Sequence, residues 1–194
     1  MRLPSRRKGA GRHGRRGAAF AGLALLVAVL VTVPAESTFG QPGLTATMVL
    51  VVGLVVIGAA GDMLSIAVAA ADEPALHSMA ARRRPGAKTA LVLKRHADRV
   101  ASIAGDIIGD VAGTVSGAAG AGWAVAAAHA HGWRPTESAA LAVAVVAALT
   151  VGAKGTMKGV ALEHANRVVY AAGFVGYFLA SPFSTWAARR RRVR

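Results

Sequence analysis

Gly105-Asp-Ile-Ile-Gly-Asp-Val-Ala-Gly-Thr-Val-Ser-Gly117 sets two carboxylates, Asp106 and Asp110, inside a run that otherwise has the composition of a membrane-spanning helix. On an α-helix the four-residue spacing puts both acids on one face, with Thr114 a turn further on and Gly105, Gly109, Gly113 and Gly117 forming a groove beside them. Ionisable groups are costly in hydrocarbon. Such a helix therefore turns its acids toward a bundle interior, an aqueous cavity or a partner, or else holds them at the water interface, merely solvated. The first arrangement makes the stretch a candidate site, the second only a helix end.

Composition says what surrounds this helix. Of 194 residues 54% are hydrophobic and only nine are Asp or Glu, so the chain is too apolar for an ordinary soluble domain. Several long uncharged runs predict an all-α polytopic membrane protein of about four transmembrane helices with juxtamembrane amphipathic helices. The net charge of +14 sits in arginine blocks beside apolar runs. Positive-inside topology and anionic lipid headgroups account for that pattern, and no nucleic-acid partner is expected, because no binding fold is present to display the charge. With no cysteine there is no disulfide framework, thiolate nucleophile or thiolate metal site. The abundance of Arg, Ala and Gly suggests a GC-rich bacterial genome, and the expected location is a bacterial plasma membrane.

Residues 1–16 hold seven Lys and Arg and no acid, and the apolar run Gly17–Val33 follows. They read as a basic cytoplasmic tail and a first span, with 34–43 as an outer loop. A cleaved signal peptide is the rival reading, since Val33-Pro-Ala35 resembles a small-residue cleavage site and Arg15-Arg16 a twin-arginine signal. Leu44–Ala71 is the second span. Between Asp72 and Arg99, basic residues and two prolines predict a cytoplasmic segment of two short helices on the membrane surface. The third span is Val100–Ala130. His129 and His131 at its outer end offer two metal ligands without a third, so interfacial polar residues beside Trp133 are the preferred reading. Thr136 and Glu137 read as the N-cap and first-turn acid of a fourth span, Ser138–Gly152. Val168–Ala187 reads as an interfacial or re-entrant helix interrupted at Ser181-Pro182, because a fifth crossing would put the arginines of the 188–194 tail outside. Both termini are then cytoplasmic, and 44–187 forms one membrane domain.

In this topology Asp62, Asp106, Asp110 and Lys154 lie at similar depth, in the cytoplasmic third of the bundle. Three carboxylates with Ser65 or Thr114 and exposed glycine carbonyls supply the oxygen donors that a hard divalent cation takes. The alternative is that Lys154 neutralises an aspartate in a closed pair, leaving no vacancy for an ion.

Taken in order, these residues resemble the transmembrane domain of the CNNM/CorC family of magnesium-linked membrane proteins over roughly residues 55–185. Gly61-Asp-Met-Leu-Ser65-Ile-Ala-Val resembles the family's Phe-Ser-Gly-Ser-Glu-x-Ala-Leu stretch. Arg82-Arg-Arg-Pro-Gly-Ala-Lys-Thr-Ala-Leu91 is similar to its basic surface helix, and Ala97-Asp98-Arg99 stands in the place of Pro-Glu-Arg. Gly105-Asp106-Ile-Ile-Gly-Asp110 is similar to Gly-Asn-x-x-x-Asn, and Ala153-Lys154-Gly-Thr-Met-Lys158 to Gly-Glu-x-x-Pro-Lys. Short bacterial relatives without the cytoplasmic CBS and C-terminal domains carry an Ala-Asp-Glu-x-x-x-His-Ser-Met pattern, matched by Ala71-Asp72-Glu73-Pro-Ala-Leu-His77-Ser78-Met79. The resemblance implies a homodimer and a magnesium ion held at Asp62 or Ser65, at Asp106 and near Ala153-Lys154. Two departures change the charge: Asp106 replaces an asparagine, and Lys154 replaces a glutamate. An ammonium there competes with a cation for the same negative field.

Two functions follow, cation binding or transport with Mg2+ as the ion, or a non-transporting structural or regulatory membrane protein. No nucleophile–base pair or phosphate loop points to an enzyme.

Overall fold

The structure is a computed structural model that describes residues 21–26, 29 and 44–191. The basic tail at 1–16, the cleavage-site motif at 33–35, the rest of the outer loop to 43 and the last three residues lie outside the described residues. So does most of the expected first span, in which 21–26 are helical.

Every regular element among the described residues from 44 on is helical: α1 Leu44–Ala70, α2 Glu73–Ala81, α3 Ala87–Arg95, α4 Ala97–Ala101, a π-helical segment Ser102–Gly109, α5 Asp110–His131, α6 Pro135–Glu163 and α7 Ala165–Arg191. Among the described residues three stretches are long and apolar enough to cross a membrane: Ala46–Ala70, Ala97–His131 and Pro135–Glu163.

Local chemistry sets the breaks. The α1 helix stops where Asp72 caps α2, its carboxylate accepting from the Ala75 N–H at 3.3 Å with Pro74 in the first turn. Lys94 Nζ donates to the carbonyls of Val68 and Ala69 at 3.2 and 2.9 Å, satisfying α1's last turn and complementing its dipole. Gly132, in the left-handed conformation at φ 71°, ends α5.

Three expectations are corrected. The N-cap of α6 is Arg134 with Pro135 first in the helix, not Thr136, since proline is already preset for that position; Glu137 stands in the first turn, as expected, and accepts from Arg134 at 2.7 Å. The helix runs on to Glu163 rather than ending at Gly152, so Lys154 and Lys158 are helical residues. And α7 is continuous through Ser181-Pro182. A proline deletes one backbone hydrogen bond, and the turns on either side carry the helix across it.

The long helices form a three-helix bundle in which α1 packs against α5, the π segment and α6, and α5 packs against α6. At one end α7 lies over α3 and the end of α1. There the main core gathers Ala67, Val68, Ala71, Leu76, Ala90, Ala161, Ala165 and Val169. The α3–α7 crossing is backbone on backbone: a Cβ at Gly173 would fall 2.5 Å from the Ala90 nitrogen, and one at Gly86 2.5 Å from the Phe174 Cα. Only 11% of the apolar window of α6 is buried, against 33% in each of the other two, so α6 gives most of its surface to whatever surrounds the bundle.

Candidate functional site

Lys154 lies where α1, α5 and α6 meet. Its Nζ is 2.8 Å from Asp62 Oδ2 on α1 and 3.3 Å from Asp110 Oδ1 on α5, so one ammonium ties three helices. Lys154 and Asp62 are about a quarter exposed, at 25% and 23%, whereas Asp110 is 72% exposed. Two carboxylates and one ammonium leave the cluster with one negative charge.

Glycines make the approach possible. A Cβ at Gly109 would lie 2.6 Å from Asp62 Oδ1, and one at Gly105 would lie 2.9 Å from Ser65 Oγ and 3.6 Å from Asp62 Oδ1. Gly61 in turn meets the Ala104 carbonyl. The first half of the glycine groove therefore receives the polar face of α1, whereas nothing lies within 4 Å of a Cβ at Gly117. Depths agree as well. At 1.5 Å per residue Asp62, Asp110 and Lys154 stand ~27, ~32 and ~29 Å from the far end of their helices, one hydrocarbon thickness of ~30 Å.

Of the predicted site residues, the structure brings Asp62, Asp110 and Lys154 together, with Ser65 beside Asp62 across Gly105. Asp106 is exposed and forms no ion pair among the described residues. The reason is local: Ser102–Gly109 is π-helical, and its widened i→i+5 turns break the α-helical register from which a shared face was expected. The hydroxyl of Thr114 donates to the Asp110 carbonyl at 2.9 Å and is thus engaged with its own helix. Among the described residues no three His, Asp or Glu side chains group at metal-ligand spacing. At the far end His131 stacks on Trp133, ring centroids 5.1 Å apart.

Beside the cluster an open groove of about 650 Å³ runs along the α5–α6 seam. Asp110, Thr114, Thr150 and Lys154 line its charged end, and Gly117, Ala118, Val143 and Ala147 its apolar end.

Several polar links went unforeseen. Arg95 Nε donates to Glu73 Oε1 at 3.1 Å and its Nη2 lies 3.2 Å from His77 Nε2, tying α3 to α2. The hydrogen bond from Arg95 holds the Glu73 carboxyl below its ordinary range. Asn166 Oδ1 accepts from the Asp72 N–H at 2.7 Å, tying α7 to the α1–α2 junction. The Glu73–His77 spacing of four was a visible signal for the first link; nothing in the sequence marked Asn166 for the second.

Comparison of the chain with protein-family models, with curated proteins and with solved structures gave no match. Fold and site define a class: an all-α protein in which, among the described residues, three helices are long and apolar enough to cross a membrane and are joined at one depth by an Asp–Lys–Asp cluster.

Proposed function

We propose that this chain is a non-transporting structural or regulatory membrane protein in which Asp62–Lys154–Asp110 locks three spans together. The observation that carries this reading is the position of Lys154 Nζ, 2.8 and 3.3 Å from the two carboxylates, where an ion would otherwise be held. In this reading residues 17–33 add a fourth span, the arginine blocks hold both termini and α2–α3 at the cytoplasmic side of a bacterial plasma membrane, and the cluster sits at the inner edge of the hydrocarbon. The open α5–α6 seam is where a second copy packs as a homodimer, supported by the empty space beside Gly117.

A second reading is favoured by one feature of the same cluster. The two carboxylates converge on one point and keep a net negative charge, with Ser65 Oγ alongside, so a divalent cation such as Mg2+ that displaced Lys154 would find oxygen donors already gathered. Lys154 is then a displaceable counter-charge, as the resemblance to magnesium-linked membrane proteins implies.

Melting of the purified protein with and without millimolar Mg2+ or Mn2+ separates the two. The lock predicts no divalent response in the wild type. It also predicts a loss of about 2–3 kcal/mol in Lys154→Ala, less than for a fully buried pair because water reaches a quarter of this one, with partial recovery on adding Asp62→Asn. The cation reading predicts a divalent-dependent rise in the wild type, a larger rise in Lys154→Glu and none in Asp110→Asn. A wild type that binds neither ion and a Lys154→Ala variant as stable as the wild type would remove both.

A further inference from the structure

We propose that the Arg82–Gly86 turn and the outer face of α7 together form a binding site for the phosphate of an anionic phospholipid headgroup. The inference is independent of the Asp–Lys–Asp cluster and goes beyond both readings of it.

Arg82, Arg83 and Arg84 are consecutive, exposed, and without an ion pair to any carboxylate among the described residues. Their backbone is fixed: the Arg83 and Arg84 N–H groups donate to the Ala80 and Met79 carbonyls at 3.0 and 3.3 Å, and the Arg84 carbonyl accepts from the Ala87 N–H at 3.1 Å. The amides are engaged within the turn, so the guanidiniums are the groups left to hold an anion, and their planar donors suit phosphate oxygens. Arg83 also has φ 53°, the sole positive value at a non-glycine among the described residues. Glycine would adopt that conformation at lower cost, so the turn itself does not explain an arginine there, whereas its side chain does.

What stands beside the turn identifies the anion. Gly86 lies against the backbone of Phe174, which brings the arginines to α7. That helix buries Val169 and Gly173 toward α3 and turns Phe174, Val175, Tyr177 and Leu179 outward, between 44% and 68% exposed. An apolar, aromatic face next to three guanidiniums without an ion pair among the described residues, at the end of the spans where the main core lies, matches the acyl–headgroup boundary, where apolar side chains enter lipid and basic ones meet phosphate. A soluble phosphate or a nucleic acid would use the arginines and leave the apolar face in water.

The test is native mass spectrometry of the full chain released from discs of phosphatidylcholine mixed with phosphatidylglycerol, counting retained lipids of each kind. The wild type is expected to retain phosphatidylglycerol preferentially. Each guanidinium neutralised should lower that preference about fivefold, so Arg82→Gln, Arg83→Gln and Arg84→Gln combined abolish it. Arg83→Gly keeps the turn and should lose one such step. Gly86→Ala keeps every charge but pushes the turn off α7, and should also lower the preference. Inorganic phosphate at millimolar concentration should not displace the lipid. Equal retention of both lipids by the wild type, an unchanged preference in the triple variant, or displacement by inorganic phosphate would overturn the proposal.

Discussion

Lys154 shows how far single residues could be interpreted before their surroundings were known. Asp62, Asp110 and Lys154 were each out of place in an apolar run, and counting residues along antiparallel spans put them at one depth, so their meeting was legible. Their partition was not. Whether Lys154 or an ion fills the gap between two carboxylates depends on side-chain reach across three helices, which spacing along the chain does not encode. Asp106 misled for a different reason, since the i,i+4 rule holds only where the helix is α. Glu73 offers a test at the same scale. With its carboxyl held below the ordinary range by the Arg95 hydrogen bond, and His77 within 3.4 Å, the folded chain binds a proton there less readily than the unfolded one. The stabilisation of the α2–α3 link is therefore present above the ordinary glutamate value of about 4.3 and is lost as pH falls through the lowered one. Amide exchange across α2 and α3 should accelerate in that acid window in the wild type, and the Glu73-dependent part of this change should be missing from Glu73→Gln. Identical acid profiles for the two proteins would remove Glu73 as the source of the effect.

At the scale of elements, apolar runs located the helices and polar residues misplaced their ends. Leu44–Ala70 matches its apolar run to within a residue, because a stretch with Asp62 as its one charge has only one way to end, at the Asp72 cap. The α6 helix outruns its expected end at Gly152 by eleven residues because the apolar run stops before Lys154 and Lys158 but the helix does not, lysine being a good helix former that continues a helix into water. The π segment was invisible: glycines at four-residue spacing fit a regular α-helix equally well. Its role is visible only from α1, whose Gly61 and Asp62 press against Ala104 and Gly109. This makes two glycines of one motif behave in opposite ways. Gly109→Ala should destabilise the bundle by about 1–3 kcal/mol, since the added methyl would sit 2.6 Å from Asp62 Oδ1 and force that carboxylate away from Lys154. Gly117→Ala, with nothing of its own chain within 4 Å, should instead stabilise the helix of the detergent-dispersed monomer by about 0.5–1 kcal/mol. Denaturant melting of both variants checks the pair, and equal effects would mean that the α1–α5 contact is looser than described.

At the scale of the whole molecule, most of the charged side chains among the described residues lie at the same end as the main core. The main core ties α1, α2, α3, α6 and α7 into a collar, while the bundle above it is held by a smaller core of Val51, Val55 and Val146 together with close glycine contacts, and leaves α6 largely uncovered. Such a molecule is stable only if lipid or a partner covers the rest, since exposed Leu141, Val145, Leu149 and Val151 on one helix would otherwise face water. Hydropathy made this architecture legible in outline, but the number of crossings depends on residues 17–33, where apolar length alone fits a retained span and a signal peptide. The absence of native cysteine makes that question experimentally clean, because each introduced thiol reports alone. With four spans and cytoplasmic termini, Ser5→Cys and Ser78→Cys should react with a membrane-impermeant maleimide only after the cells are opened, whereas Ser37→Cys and Trp133→Cys should react in intact cells. A cleaved leader would give a different result at one position: the mature protein would lose the Ser5→Cys signal altogether while the other three kept their sidedness. Reaction of Ser78→Cys in intact cells would invert the bundle. It would then place the Arg82–Arg84 turn and the collar outside, against the charge asymmetry that orients short loops around a membrane.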